Sequence, residues 1–316
     1  MKKILLYGGA TLLLILLGAF LFIQIGGIPS YAVEKPALNL RTDSATLATG
    51  KKYVSMLCAS CHLNPETRQL TGRFMSDAPK EFGVINTPNI TQDKTYGIGD
   101  WTPGEILYLL RTGNKRDGQY APPYMAKLPT MSDADIIAII SFLKSEDPMV
   151  TAAAVPDKPV EPSFLTKMLT RVAFKPFKMP AAPINVPDSS DAIALGGYLA
   201  RNLECFSCHS ADFKTNDFLH PEKSEGYFGG GNKPLNHEGL VMPTPNLTPD
   251  KATGIGSWSQ EKFVKALKTG IVEGQPALRY PMAPYTQLTD REAAAIYQYL
   301  MSIPPISNKV ERAPAE

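Results

Sequence analysis

Cysteine and histidine are scarce in this chain, and neither sign of charge prevails. Four cysteines and four histidines among 316 residues exclude a disulfide-dense scaffold, in which cysteine is several times more frequent. A net charge of only +2, from 32 basic and 30 acidic residues, lacks the basic surplus that offsets phosphate in nucleic-acid binders, so net charge dictates no partner. Long apolar runs are missing too, with one exception. After Lys2 and Lys3, residues 4–29 carry no charge, and a helix of about 25 such residues crosses a bilayer core of about 30 Å. Lys2 and Lys3 ahead of the run place the N-terminus in the cytoplasm and the chain from Tyr31 onward outside. A cleaved signal peptide is the competing reading, since "SYA" at 30–32 loosely fits a cleavage site. The apolar run exceeds the usual signal core, which favours a retained anchor over residues 1–30.

All four cysteines fall in two short motifs, "CASCH" (Cys58 to His62) and "CFSCH" (Cys205 to His209). A redox-active CxxC has no need of a histidine directly after it. A zinc site built from Cys58, Cys61, Cys205 and Cys208 would leave both histidines unexplained. Covalent haem c accounts for every residue: two thioethers to the porphyrin vinyl groups and an imidazole beneath the iron. The chain is therefore expected to carry two haem c groups, on Cys58 and Cys61 and on Cys205 and Cys208, with His62 and His209 as iron ligands.

The halves repeat beyond these motifs. "TPNITQDKTYGIGDWTPGEILYLLRTG" starts at Thr87 and "TPNLTPDKATGIGSWSQEKFVKALKTG" at Thr244, 157 positions later. The same offset carries Trp101 to Trp258, Gly113 to Gly270, Met125 to Met282 and Asp133 to Asp290. The second half is longer between its CxxCH and its TPN segment, where His220, His237 and "FGGGN" lie in an inserted loop. Each half predicts a helix leading into CxxCH and a Gly/Pro/Asn-rich loop. A second helix follows, capped by Thr102 or Ser259 and ended by Gly113 or Gly270, then a Pro-rich methionine loop. The last helix is capped by Ser132 or Thr289. Ile136, Ile140 and Leu143 recur at helical spacing. The expected architecture is all-α, two tandem cytochrome c-like domains at 31–147 and 189–305 after an N-terminal transmembrane helix. Residues 148–188, rich in proline, read as an extended linker and 306–316 as a C-terminal tail. Within the linker, 164–177 is amphipathic and basic, a segment that packs on a neighbouring domain or meets anionic lipid near the anchor.

The sixth iron ligand must come from outside the motifs. His220 and His237 have no counterpart in the first half, whereas Met125 and Met282 occupy equivalent loops, and a thioether suits an electron-transfer haem. Met125 and Met282 are accordingly the expected distal ligands. Met131 competes by position, but its repeat partner is Leu288; Met56, Met168 and Met301 read as packing residues. Trp101 and Trp258 read equally as haem-edge covers or core. Arg111 and Lys268 read as propionate partners or as cations near helix C-termini, and Thr87, Asn89, Thr244 and Asn246 as propionate donors or turn formers.

The run "GGYLARNLECFSCH", "TPNLTPDKATGIGSW", "YPMAPYTQLTDREAAAIYQYL" resembles the cytochrome c subunits of membrane-bound bacterial alcohol, aldehyde and gluconate dehydrogenases, over roughly residues 45–145 and 190–303. The resemblance implies an all-helical subunit at the bacterial inner membrane, its haem domains facing the periplasm. Such a subunit takes electrons from a quinoprotein or flavoprotein dehydrogenase and passes them to quinone, another cytochrome or a terminal oxidase. Many members carry three haems; this chain has two motifs. An electron carrier without a catalytic site of its own is the expected function. The alternative is a di-haem enzyme of peroxidase or thiosulfate dehydrogenase type, for which the inserted loop would supply the asymmetry between sites. A cytochrome subunit of a haem-copper oxidase is a third outline, against which the TPN and GIG blocks argue.

Overall fold

The structure, a computed structural model, describes residues 2–311; the last residues of the expected C-terminal tail, 312–316, lie outside them. The chain is mostly helical, and its only paired strands among the described residues are the two-residue β1 (Gly83–Val84) and β2 (Glu161–Pro162), which are antiparallel. Helix α1 (Lys2–Gly26) buries none of its residues and is long and apolar enough to span a membrane.

The first half contains α2 (Ser44–Tyr53), a π-helical turn over Val54–Cys58, α3 (Ala59–His62), α4 (Pro103–Thr112) and α5 (Asp133–Leu143). The second contains α7 (Ala192–Asn202), α8 (Cys205–His209), α9 (Gln260–Thr269) and α10 (Asp290–Ser302). The helix ends follow local chemistry. Thr102 and Thr289 form capping boxes with Glu105 and Glu292, and Ser132 and Ser259 cap α5 and α9 with their hydroxyls, satisfying first-turn amides that have no helical partner. Gly113 and Gly270 end α4 and α9 in the left-handed region, at φ 87° and 74°, as αL caps do.

In each half the first helix crosses the last, α2 on α5 and α7 on α10. A glycine sits at each crossing. A Cβ on Gly50 would lie 2.0 Å from the Ala138 carbonyl oxygen, and one on Gly196 1.9 Å from that of Ala295. Hydrogen at these two positions allows the backbones to touch, and the apolar faces close around them: Ile136, Ile140 and Leu143 below α2, Ala293, Ile296 and Leu300 below α7. The path from helix to motif differs. The first half reaches Cys58 through the π turn; the second breaks at Glu204, which adopts φ 56°.

The halves share one core and a bonded seam. The Tyr198 hydroxyl accepts the Ser132 backbone N–H at 2.9 Å and donates to Asp135. Lys52 pairs with Glu292 at 2.6 Å, Thr130 Oγ1 lies 3.1 Å from Asn202 Oδ1, and Tyr280 donates to Asp77. Residues 148–157 fold back on the first half: the Met149 and Val150 carbonyls accept the Leu70 and Gln92 amides. Further along, Ile184 and Phe177 bond Asp133 and Thr112, so much of the proline-rich stretch is docked. Its only α-helix is α6 (Phe164–Val172), which packs on α1.

Candidate haem-binding site

Both CxxCH motifs and both methionine loops open on one continuous cavity of about 1790 Å³, lined by Cys58, Cys61, His62 and Met125 from one half and by Cys205, Cys208, His209 and Met282 from the other. The two halves therefore place their equivalent residues around a common space.

The histidines are held alike. His62 Nδ1 lies 2.8 Å from the Pro88 carbonyl oxygen and His209 Nδ1 2.9 Å from that of Pro245, the prolines of the two TPN segments. A carbonyl can only accept, so Nδ1 carries the proton and Nε2 is left with its lone pair, the tautomer a metal-bound imidazole needs. Burial lowers both histidine pKa values, against a smaller upward pull from the proline carbonyls, which keeps the rings neutral. Behind each ring the backbone is pinned. The Gly72 and Gly230 amides donate to the His62 and His209 carbonyls at 2.8 and 2.7 Å. Both glycines have positive φ, and a Cβ on Gly72 would meet the Thr87 oxygen at 2.1 Å.

The cysteines are free thiols. Burial pushes Cys58 and Cys205 up to about 12 and Cys208 up to about 11, so none is poised as a nucleophilic thiolate. No group of three or more His, Cys, Asp or Glu side chains converges to hold a metal ion among the described residues. The donor set instead fits haem c: paired thiols one helical turn apart, a neutral imidazole with a fixed tautomer, and a thioether from a separate loop.

Other expected residues sort themselves by position. Met131 is fully buried in the core and lies off the cavity, as do His220 and His237. His220 is near Glu222, and His237 stacks on Tyr280 at 3.8 Å and lies 3.3 Å from Ser76, tying the inserted loop to the first half. Met56 and Met242 do line the cavity, but they belong to the segments that carry Cys58 and Pro245, the side of the histidines. Trp101 and Trp258 both border it, with Arg116 and Lys262 over their rings at 5.4 and 4.8 Å.

The polar residues of the repeat bond within the protein, and Thr87, Asn89, Thr244 and Asn246 also line the cavity. Arg111 is 1% exposed, donates to the Leu128 and Met131 carbonyls and pairs with Asp133 at 2.6 Å, so it braces the methionine loop against α5; Lys268 pairs likewise with Asp290. Thr87 donates to the Cys61 carbonyl at 2.7 Å. Asn89 and Asn246 accept the amides of Thr91 and Thr248 and donate to Ala153 and Val155 or to Ile306. Each asparagine thereby ties down the segment that follows its half's last helix. The proline carbonyls and the two glycines behind the histidines are the functional groups that side-chain reasoning passed over. The verbatim TPN repeat is the signal that marks them.

Between the halves, Lys127 is buried and Glu204 half-buried, and each is drawn toward the other's charge. Burial lowers Lys127 to about 7 and raises Glu204 to about 7. Lys127 Nζ donates to the Pro122 carbonyl at 2.7 Å, holding the methionine loop closed on itself.

The cytochrome c family profile matches residues 47–147 and 193–304, the two stretches that carry these motifs. The chain belongs to the cytochrome c family. Members of this family carry covalently bound haem c, which agrees with the donor set. Its relatives include the cytochrome c subunit of a quinone-type alcohol dehydrogenase from Gluconacetobacter polyoxogenes, 29% identical over 84% of this chain and 57% of that one. A fructose dehydrogenase cytochrome subunit from Gluconobacter japonicus is 29% identical over 78% of this chain and 50% of its own length. A diheme cytochrome c-type protein from Cereibacter sphaeroides is 27% identical over 79% and 82%. The chain thus spans about half the length of the alcohol and fructose dehydrogenase subunits it matches.

Proposed function

We propose that the chain is a membrane-anchored, di-haem c-type cytochrome that takes electrons from a dehydrogenase partner and delivers them to quinone, another cytochrome or a terminal oxidase. The observation that carries this reading is the duplicated histidine: two CxxCH imidazoles, each fixed by a proline carbonyl, facing one cavity. In it, Cys58 and Cys61, and Cys205 and Cys208, would form the thioethers, and His62 with Met125, and His209 with Met282, would hold the iron of each group. Haem c held there supplies a one-electron iron couple.

The protein's own contribution is rigidity and charge control. Gly72 and Gly230 fix the histidine backbones, Arg111 and Lys127 fix the Met125 loop, and the buried seam keeps the two sites in one body. Iron held by protein ligands from both sides in so rigid a site would favour electron transfer over peroxide or thiosulfate chemistry. His220 and His237, the groups that would make one site catalytic, lie off the cavity. The arrangement of two tandem cytochrome c-like units at 31–147 and 189–305, with the haem face in the periplasm, belongs to the same reading. So does the N-terminal anchor, whose Lys2 and Lys3 favour a cytoplasmic start. Dehydrogenase subunits among the relatives support that class of donor.

The test is the purified full-length chain from a haem-competent host. Its mass should rise by two haems, its oxidised and reduced spectra should be those of six-coordinate low-spin iron at both sites, and a co-purifying dehydrogenase given its substrate should reduce it. One haem per chain, or a high-spin site in the resting protein, overturns the proposal.

A further inference from the structure

Helix α6 is packed inside out. Its threonines face the protein: Thr166 and Thr170 are 2% and 0% exposed, with Thr166 Oγ1 donating to the Phe82 carbonyl at 2.8 Å and Thr170 Oγ1 to that of Thr166 at 2.9 Å. Its apolar residues are less fully covered. Leu165, Met168 and Leu169 are only half-buried, and Val172 is 68% exposed. At helical spacing Leu165, Met168, Leu169 and Val172 form one apolar stripe, with Arg171 toward its edge and Lys167 on the far side. A helix docked on a soluble neighbour buries such a stripe; this one turns its small polar face inward.

Its place beside α1 says what meets the stripe. Phe164 stacks on Phe20 with ring centroids 4.9 Å apart, and Lys167 Nζ lies 3.5 Å from the Gln24 carbonyl. Arg171 lies over the Phe22 ring and donates to the Gly26 and Gly27 carbonyls at 2.6 and 3.1 Å, a cation at the negative end of a helix. These contacts advance along both helices together, so α6 runs beside the last turns of α1. Phe20 is about 9 Å below Gly26 at 1.5 Å per residue, within the roughly 5–10 Å that interfacial helices sink. Charge completes the pattern: residues 162–187 hold Lys167, Arg171, Lys175 and Lys178 and no acidic residue.

We propose that α6 stands in the headgroup layer alongside the outer end of α1, its apolar stripe turned to the acyl boundary, with Lys175 and Lys178 just beyond its C-terminus meeting the phosphates of anionic phospholipid. The inference rests on α1 as a spanning helix. A second contact removes the freedom of the haem-bearing body to swing about a single anchor, and so fixes which face it turns to the membrane.

The experiment uses the full chain in nanodiscs containing phosphatidylglycerol with a photoreactive diazirine high on its acyl chain, with adducts mapped by mass spectrometry. Adducts are expected in α1 and in residues 164–172. Replacing the probe lipid by its phosphatidylcholine analogue, or making Lys175→Gln with Lys178→Gln, should lower the α6 adducts at least about fivefold, since each cation near an anionic surface is worth about that factor, while α1 adducts and the visible haem spectrum stay constant. Adducts confined to α1 overturn the proposal and leave the anchor standing. Equal α6 labelling by both lipids overturns the anionic preference, and loss of α1 labelling overturns the anchor itself.

Discussion

Tyr198, in the first helix of the second half, holds the N-terminus of the last helix of the first: its hydroxyl lies 2.9 Å from the Ser132 amide and donates to Asp135. Asp135 also accepts from Tyr53 at 3.2 Å, so one carboxylate gathers a phenol from each half. The seam is thus a buried polar junction set in apolar packing, and polar junctions of this kind fix one geometry because a slipped one leaves buried groups unpaired.

Tyr198→Phe should destabilise the whole protein by roughly 1–3 kcal/mol, the cost of a buried amide and carboxylate losing a partner. Denaturant unfolding followed by the visible bands of both sites measures it. Unfolding should remain a single transition in the wild type and lose cooperativity in the variant; an unchanged midpoint would mean that the seam contributes little.

A second cross-seam contact is sensitive to acid. Burial pushes Glu292 up, but the hydrogen bond from Lys52 and the Thr289 amide outweigh it, and its pKa lies below the ordinary value. A depressed carboxylate stabilises above the unfolded value of about 4.3 and loses that contribution as pH falls through the folded one. Glu292→Gln keeps the capping box, since glutamine serves at that position, and removes only the charge. It should lower stability by about 1 kcal/mol at neutral pH and flatten the fall below about pH 4.3; parallel pH profiles for variant and wild type would remove the ion pair from the account.

Gly72 separates strain from crowding. Both Gly72 and Gly239 have positive φ, 82° and 79°, yet a Cβ on Gly239 meets nothing within 4 Å, whereas one on Gly72 lies 2.1 Å from the Thr87 oxygen. Gly239→Ala should cost only the left-handed penalty of about 1–2 kcal/mol. Gly72→Ala should add a further roughly 1–3 kcal/mol of overpacking and, by pushing the TPN segment off His62, reduce haem incorporation in the first half. Equal stability of the two variants would contradict the role given to Gly72.

How far the sequence reaches can be judged residue by residue. The capping residues Thr102, Ser132, Ser259 and Thr289 and the terminators Gly113 and Gly270 were legible because each acts within one helical turn, on local rules. The repeat puts the motif histidines and the loop methionines at matching positions, and the structure brings all four to one cavity. The glycine crossings at Gly50 and Gly196 escaped, because a glycine inside a helix announces close approach only once its partner helix is known. Thr87, Asn89 and Arg111 read equally as propionate partners or as local polar anchors, and the structure shows the bonds each makes within the protein, since a polar side chain in a loop has the same appearance in sequence whether it faces a cofactor or a carbonyl. The proline-rich stretch looked extended from composition, but its docking depends on strand pairing with residues 83–84 and on α1, contacts too distant for composition to register.

The proposed distal ligands set the sharpest test, between two methionines six residues apart in one half. Met125 borders the cavity in a loop braced by Lys127, which bonds Pro122, and by Arg111, which bonds Leu128 and Met131; Met131 is fully buried in the core, and the corresponding residue of the second half is Leu288. Met131→Leu conserves volume and should cost less than about 1.5 kcal/mol with no spectral change. Met125→Ala should convert one of the two sites to high spin and abolish half of the weak near-infrared band that marks thioether ligation of oxidised iron; Met282→Ala should remove the other half, and the double variant all of it. Met125→His should keep low spin while lowering the potential of that site, within the roughly 0.8 V that axial ligation spans, because imidazole favours the oxidised iron more than a thioether does. Should Met131→Leu remove the band and Met125→Ala spare it, the ligand in the first half would be Met131, and its equivalence with Leu288 would leave the second half with a different sixth ligand.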